Sequence, residues 1–252
     1  MRGLLKVYVA AAYLFLYLPL AVLAAFSFND SRFTVWQGFS FRWYEAAFTN
    51  AQLTSGAVTS LLIAVTSTLF ATVAGTLCAY ALWKRNSRLV TTTLYLSLVT
   101  PEIVLGVALL AFYQLVLGRI GSSLGTLTVV LAHITFSLAY VVLVVLARLR
   151  TIDRSLEEAA LDLGANEWQA FRRVTLPLLL PGVGAAALLA FTISFDDYVI
   201  TSLVAGVDSE TLPMVIYAMA RRGIRPEVNA ISAVIVTVLG TLILVSERWN
   251  RT

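Results

Sequence analysis

The chain has 252 residues, of which 59% are hydrophobic and 13% charged, with a net charge of +4 and a single cysteine. A water-soluble domain carries nearer 25% charged residues, so the polar side chains here are too few to coat a soluble globule, and lipid is the solvent expected for most of the surface. The basic residues lie in short clusters between apolar runs, which suits membrane orientation better than nucleic-acid binding, and one cysteine, Cys78, provides neither an internal disulfide nor a metal spacing.

A helix that crosses a bilayer needs about 20 mostly apolar residues. Six stretches qualify, at about 7–28, 56–82, 89–117, 125–147, 177–204 and 229–246. The expected fold is therefore an all-α polytopic membrane protein with six transmembrane helices. No linker-like or low-complexity segment divides the chain, so residues 1–252 are read as a single domain. The first stretch follows a basic start, Met1-Arg2-Gly3-Leu4-Leu5-Lys6, as a signal peptide does. Its apolar run of about 20 residues exceeds the roughly 7–15 of a signal sequence, and it is read as a retained span.

Orientation follows from Lys and Arg in the flanks. With both termini in the cytoplasm, the inner side receives Arg2, Lys6, Lys84, Arg85, Arg88, Arg148, Arg150, Arg154, Arg172, Arg173, Arg248 and Arg251. The outer side receives only Arg32, Arg42, Arg119, Arg221, Arg222 and Arg225. The outer segment 29–55 holds Phe33, Trp36, Phe39, Phe41, Trp43, Tyr44 and Phe48, which suit a short helix at the membrane interface. Residues 205–228 form the last outer loop.

The longest inner segment, 148–176, is the most informative. Leu156, Ala159, Ala160 and Leu163 recur at helical spacing and form one apolar stripe. Ser155 and Glu158 have the spacing of a capping box, Gly164 suits a left-handed stop, and Asn166 suits the cap of a second short helix leading to Pro177. The small face of Ala159, Ala160 and Gly164 fits a docking surface better than a lipid face, which favours large apolar residues.

Glu158-Ala159-Ala160, then Gly164, then Leu176-Pro177, resembles the EAA loop of ABC importer permeases. In that family the loop is a coupling helix seated in a cleft of the ATP-binding subunit. The resemblance implies a type I ABC importer permease fold in the bacterial cytoplasmic (inner) membrane. The motor belongs to another chain, because a phosphate-binding loop needs Gly-Lys followed by Ser or Thr. The only lysines, Lys6 and Lys84, do not follow glycine. No cofactor is expected in this chain; ATP and magnesium belong to the partner ATPase.

Ionisable residues at membrane depth cost roughly 2.5–3.5 kcal/mol on insertion scales and usually face a cavity or a partner. Glu102 follows Thr100-Pro101, where proline breaks the helical ladder. The plainer alternative is that these three residues cap a helix start near the inner surface. Asp196 and Asp197 lie about 19 residues beyond Pro177, or roughly 28 Å along a helix. Adjacent helical positions point about 100° apart, so one acid is expected to face the path and the other to pair with an arginine or a helix end. Acids in an apolar conduit attract cations, and Phe195 and Tyr198 add π faces that suit an ammonium group. His133, in the fourth stretch, is read as a hydrogen-bonded packing residue, and the Gly and Ala residues at 182–187 as close helix contacts.

Phe195-Asp196-Asp197-Tyr198-Val199-Ile200-Thr201-Ser202, Thr211-Leu212-Pro213-Met214 and Pro226-Glu227-Val228-Asn229-Ala230 resemble the spermidine/putrescine permeases of the PotC type. The resemblance implies a polyamine substrate, a second permease subunit, two ATP-binding subunits and an extracytoplasmic substrate-binding protein. Permeases for other amine-containing or phosphonate solutes share parts of the pattern. An ion-coupled secondary transporter is the competing class, but it leaves the inner loop unexplained. An intramembrane enzyme lacks a Ser/His/Asp or metal constellation.

Overall fold

The computed structural model describes residues 2–32, 35–223 and 226–251. Phe33 and Arg225, assigned above to outer segments, and the side chains of Arg2, Arg248 and Arg251, assigned to the inner side, lie outside the described set. Among the described residues the structure is helical apart from one antiparallel bridge, Asn29 to Phe39. In chain order the helices are α1 (Arg2–Phe26), α2 (Arg42–Thr49), α3 (Ala51–Lys84), α4 (Arg88–Val99), α5 (Glu102–Ile120) and α6 (Thr126–Leu149). They continue with α7 (Ser155–Asp162), α8 (Glu167–Ala170), a π-helical turn (Phe171–Thr175), α9 (Leu176–Asp196), α10 (Val199–Val204), α11 (Leu212–Arg221) and α12 (Pro226–Arg251). Among the described residues, six helical stretches are long and apolar enough to span a membrane: Gly3–Phe26, Ala51–Lys84, Glu102–Arg119, Thr126–Leu149, Glu167–Asp196 and Pro226–Leu244.

Two of the six expected stretches are interrupted. The third, 89–117, divides at Thr100-Pro101 into α4 and α5, because Pro101 has no N–H to continue the ladder and disfavours helical geometry before it. The fifth, 177–204, ends as a regular helix at Asp196. Asp197 is extended, and the chain restarts as α10.

The chain packs as two units, Met1–Gly56 with Met214–Leu244, and Ala57–Pro213 with Val245–Thr252. In the first, Trp43 of α2 is buried and donates its indole N–H to the Asn29 carbonyl at 2.7 Å. Phe28, Phe39, Phe41 and Tyr44 form a ring cluster with one another. The short helix expected in segment 29–55 is α2.

The second unit has two apolar clusters. One joins Ala71, Ala79 and Trp83 of α3, Leu94 of α4, Val141, Val142 and Val145 of α6, and Leu179, Ala186 and Ala190 of α9. The other joins Ile63 of α3, Tyr113 of α5, Val129, Ala132 and Phe136 of α6, and Ile200 and Val204 of α10. α6 packs along α9, where small residues let the backbones approach. A Cβ on Gly182 would sit 2.7 Å from Cβ of Arg148. Along α3, Ser67 lies one turn from Ile63 and one turn from Ala71, so a polar residue falls between the two clusters.

Candidate functional site

The two helix breaks open onto one cavity of about 610 Å³. Thr100, Pro101 and Glu102 line it from the α4–α5 break, Asp196, Asp197 and Tyr198 from the α9–α10 break, and Phe136 and Tyr140 from α6. Glu102 is the first residue of α5, where the unpaired N–H groups favour a negative charge. Asp196, the last residue of α9, is exposed. The lining residues include no Lys or Arg, so the cavity presents acid without a fixed basic partner of its own. Phe195 is not among the lining residues and instead stacks on Phe191, with ring centroids 5.8 Å apart.

Asp197 lines the same cavity, but its carboxylate is committed to the protein. Its Oδ2 accepts from the Thr201 N–H and from the Thr201 hydroxyl, both at 2.7 Å, which caps α10. The side chain is only 6% exposed, and His133 Nε2 stands 3.5 Å from Oδ2. Since Thr201 gives its hydroxyl proton to Asp197, its oxygen accepts from His133 Nε2 at 2.9 Å, which assigns the imidazole proton to Nε2. On the other side, His133 Nδ1 meets Ser194 Oγ at 2.6 Å, and Ser194 meets Ser67 Oγ at 2.9 Å. One buried polar chain thus ties α3, α6, α9 and α10 together at the break. Asp197 thus serves a helix end, and Asp196 lies exposed on the cavity wall.

Loop 148–176 forms the expected helix, glycine turn and helix. Gly164 has φ +89°, and the N–H groups of Gly164 and Ala165 return to the carbonyls of Leu161 and Ala160, the pattern of a left-handed helix stop. Asn166 Oδ1 accepts from Gln169 N–H at 2.9 Å, and Gln169 Oε1 accepts from Asn166 N–H at 3.0 Å, a reciprocal cap for α8. The box expected between Ser155 and Glu158 does not form. Asp153 Oδ1 instead accepts from Ser155 N–H at 3.0 Å, and hydrogen bonding from Ser155 holds the Asp153 carboxyl below the usual carboxylate range.

The faces of α7 are reversed from those of an ordinary amphipathic helix. Leu156 is 48% exposed and Leu163 is 90% exposed, with Glu158, Ala159 and Gly164 also on the surface and Ala160 partly so. Glu157 points inward and is 3% exposed. It accepts from Tyr80 Oη at 2.7 Å and from Thr175 Oγ1 at 2.8 Å, and it pairs with Lys84 Nζ. Burial works against ionising this carboxyl, yet the hydrogen bonds from Lys84, Tyr80 and Thr175 outweigh it and hold Glu157 below the usual range. Arg154 donates to the Trp83 carbonyl, and its guanidinium lies 4.7 Å from the centre of the Trp83 ring. Leu176 follows the π turn that carries Thr175, and its N–H bonds the Phe171 carbonyl; Pro177 lies in the first turn of α9.

Inspection of the sequence alone passes over Glu157, Tyr80, Lys84 and Thr175, and it gives His133 no partners. One signal was available for the first group. Tyr80 and Lys84 sit at i and i+4, so an aromatic hydroxyl and an ammonium share one face at the end of a span. No spacing links Ser67, His133, Ser194 and Thr201, which come together only through helix packing.

Broken spanning helices around an acidic cavity, with a loop beyond them that exposes apolar side chains, define a multi-pass membrane translocation subunit. The chain belongs to the family of binding-protein-dependent transport system inner membrane components, whose sequence profile matches residues 71–251. It is 40% identical over 243 residues to the spermidine/putrescine transport system permease protein PotC of Haemophilus influenzae, covering 95% of this chain and 93% of that one. Against PotC of Escherichia coli K12 the identity is 39% over 244 residues, covering 95% and 91%. The putrescine transport system permease protein PotI of the same strain is 40% identical over 233 residues, covering 90% and 83%. The fold matches a permease chain in the crystal structure of a bacterial ABC transporter that imports the acidic polysaccharide alginate, at 19% identity and a TM-score of 0.78, covering 99% of this chain and 94% of that one. It also matches the MetNI methionine ABC transporter at 21% identity and a TM-score of 0.66, covering 79% and 94%. The chain is a non-catalytic, multi-pass inner-membrane component that works with an ATPase and a binding protein, a class of subunit that carries no cofactor.

Proposed function

We propose that this chain is one of two different permease subunits of a polyamine importer, moving spermidine or putrescine inward by alternating access. The observation that carries the substrate class is the 39–40% identity, over 90–95% of the chain, to permeases named for spermidine and putrescine. The cavity chemistry supports it. Glu102 and Asp196 offer two carboxylates with no basic lining residue, and Tyr198 adds a π face. Asp197 acts by shaping the break. Phe195 serves by packing, through Phe191, and not by touching the cation. The passage should hold its cargo weakly, because it must also release it.

In this reading residues 1–252 work as one permease with both termini in the cytoplasm, where loop 148–176 meets one of two ATP-binding subunits. Glu158, Ala159, Ala160 and Gly164 form the contact, and Leu176-Pro177 joins the loop to α9. The binding protein delivers polyamine to the outer segments 29–55 and 205–228. The test is ATP-driven uptake by the complete complex in liposomes, with its binding protein, across spermidine, putrescine, a neutral amide and an anionic amino acid. Uptake restricted to the amines is expected. Equal or better uptake of the anion overturns the substrate class.

A further inference from the structure

We propose that Glu157 is a positioning residue for energy coupling: it binds the inner loop, the inner end of α3 and the start of α9 into one mechanical body. This inference rests on the reading that the ATPase docks on loop 148–176. The docking surface itself consists of exposed groups, which can be pushed but cannot by themselves move a spanning helix. Something must connect α7 to the membrane part, and the structure provides one buried carboxylate with partners on two other elements.

The geometry is specific. Tyr80 and Lys84 reach Glu157 from the last turns of α3, and Thr175 reaches it from the π turn that runs directly into α9. Both carboxylate oxygens are used: Oε1 takes Tyr80 and Lys84, and Oε2 takes Thr175. A residue that served only to solubilise the loop would be exposed, as Glu158 is. Around this point Phe171 packs on Tyr80 with ring centroids 4.5 Å apart, and Trp168 packs on Phe171 at 5.6 Å, so the loop has an aromatic seam beside its ionic one.

The consequence lies at the other end of α9. That helix runs 21 residues, from Leu176 to Asp196, or roughly 30 Å at 1.5 Å per residue. A displacement of α7, delivered through Glu157 and Thr175, reaches the Asp196–Asp197 break along this one continuous helix. The polar chain through Ser194 and His133 then passes it to α3, α6 and α10. Loss of the Glu157 clamp lets the loop move without α9.

The experiment compares E157A, E157Q, Y80F and T175V in the complete reconstituted complex. It reads assembly yield, ATPase stimulated by loaded binding protein, and polyamine taken up per ATP hydrolysed. A merely structural role lowers assembly and leaves uptake per ATP unchanged. A positioning role lowers uptake per ATP in the assembled complexes: by about tenfold in E157A and two- to threefold in Y80F and T175V, as expected for losing a charged hydrogen-bond hub or one of its bonds. E157Q should fall between, because its amide oxygen keeps the Tyr80 bond and its NH2 can donate to the Thr175 hydroxyl, while the ion pair is lost. An unchanged ratio in assembled E157A overturns the proposal. Where E157A does not assemble, an unchanged ratio in both Y80F and T175V overturns it. The docking reading is judged separately, by disulfide crosslinking of L163C to the ATPase. No crosslink removes that reading, whereas a crosslink with unchanged ratios removes only the role of Glu157.

Discussion

Asp197 Oδ2 and His133 Nε2 lie 3.5 Å apart, with only 6% and 1% of their side chains exposed. The pairing gives two neighbouring aspartates different tasks. A buried carboxylate that accepts from Thr201 twice and faces an imidazole has little left for a passing ligand. Asp196, one residue earlier and exposed at the helix end, keeps its carboxyl on the cavity wall. Replacement of His133 by alanine should therefore act on stability first. It removes the partner of Ser194 and Thr201 and leaves the Asp197 carboxylate without the imidazole beside it, at a cost of about 1–3 kcal/mol. A lowered unfolding midpoint of the detergent-solubilised complex checks this, and an unchanged midpoint contradicts it.

Asp196→Asn should show the opposite profile. Assembly and thermal midpoint stay near those of the parent, while the amine concentration for half-maximal uptake by the complex rises about tenfold, the scale of one charged hydrogen bond. Asp197→Ala is the matched control and should lower the midpoint through the lost cap of α10, by about 0.5–2 kcal/mol. If the neighbouring substitutions give the same profile in uptake and stability assays, the division of tasks is wrong.

Gly206 faces a different constraint. A Cβ there would stand 2.0 Å from the Leu124 carbonyl oxygen and 2.8 Å from Gly125 Cα, so the obstruction is backbone and not a side-chain tip. Gly206→Ala should cost about 1–3 kcal/mol or more, read as a lower midpoint. Gly184→Ala, with open space around the added Cβ, should be silent in the same assay.

The Glu157 clamp has a signed pH dependence. Its native pKa is lowered, so the stabilisation it gives is present above the unfolded carboxylate pKa and is lost as pH falls through the native value. Protease nicking of loop 148–176 should stay flat from pH 8 to about 5 and rise only below about 4, under the ordinary glutamate pKa. A rise near pH 6.5 would point to a histidine instead and contradict the assignment.

Leu163, 90% exposed at the end of α7, should matter only when the ATPase is present. Leu163→Asp is expected to cut co-purification of the ATPase about tenfold, as one buried leucine replaced by a charge implies. The midpoint of the permease itself should not change. Unaltered co-purification rules the residue out of the contact.

The spans, the broken helix at Pro101, the left-handed Gly164 and the Asn166 cap were all legible in the sequence, because each is a local signal carried by period, proline, glycine or a capping side chain. What was not legible depends on long-range packing. Ser155 and Glu158 have capping-box spacing, but Asp153 takes the Ser155 N–H instead. The stripe of α7 is exposed, but no local signal shows that Glu157 turns inward, where Tyr80, Lys84 and Thr175 are there to meet it. Likewise, Ser67, His133, Ser194 and Thr201 are unremarkable one by one, and only the packing of four helices makes them a chain.

The reversed faces of α7 bear on the life of the subunit before assembly. Leu156, Leu163 and, on α8, Trp168 are displayed to water at a loop tip while the acid is hidden. A newly made copy without its motor therefore carries a hydrophobic flag of the kind that invites aggregation and surveillance proteases. In the proposed docking arrangement the same surface also reports an orphan, so the cellular level of this chain should follow the supply of its ATPase.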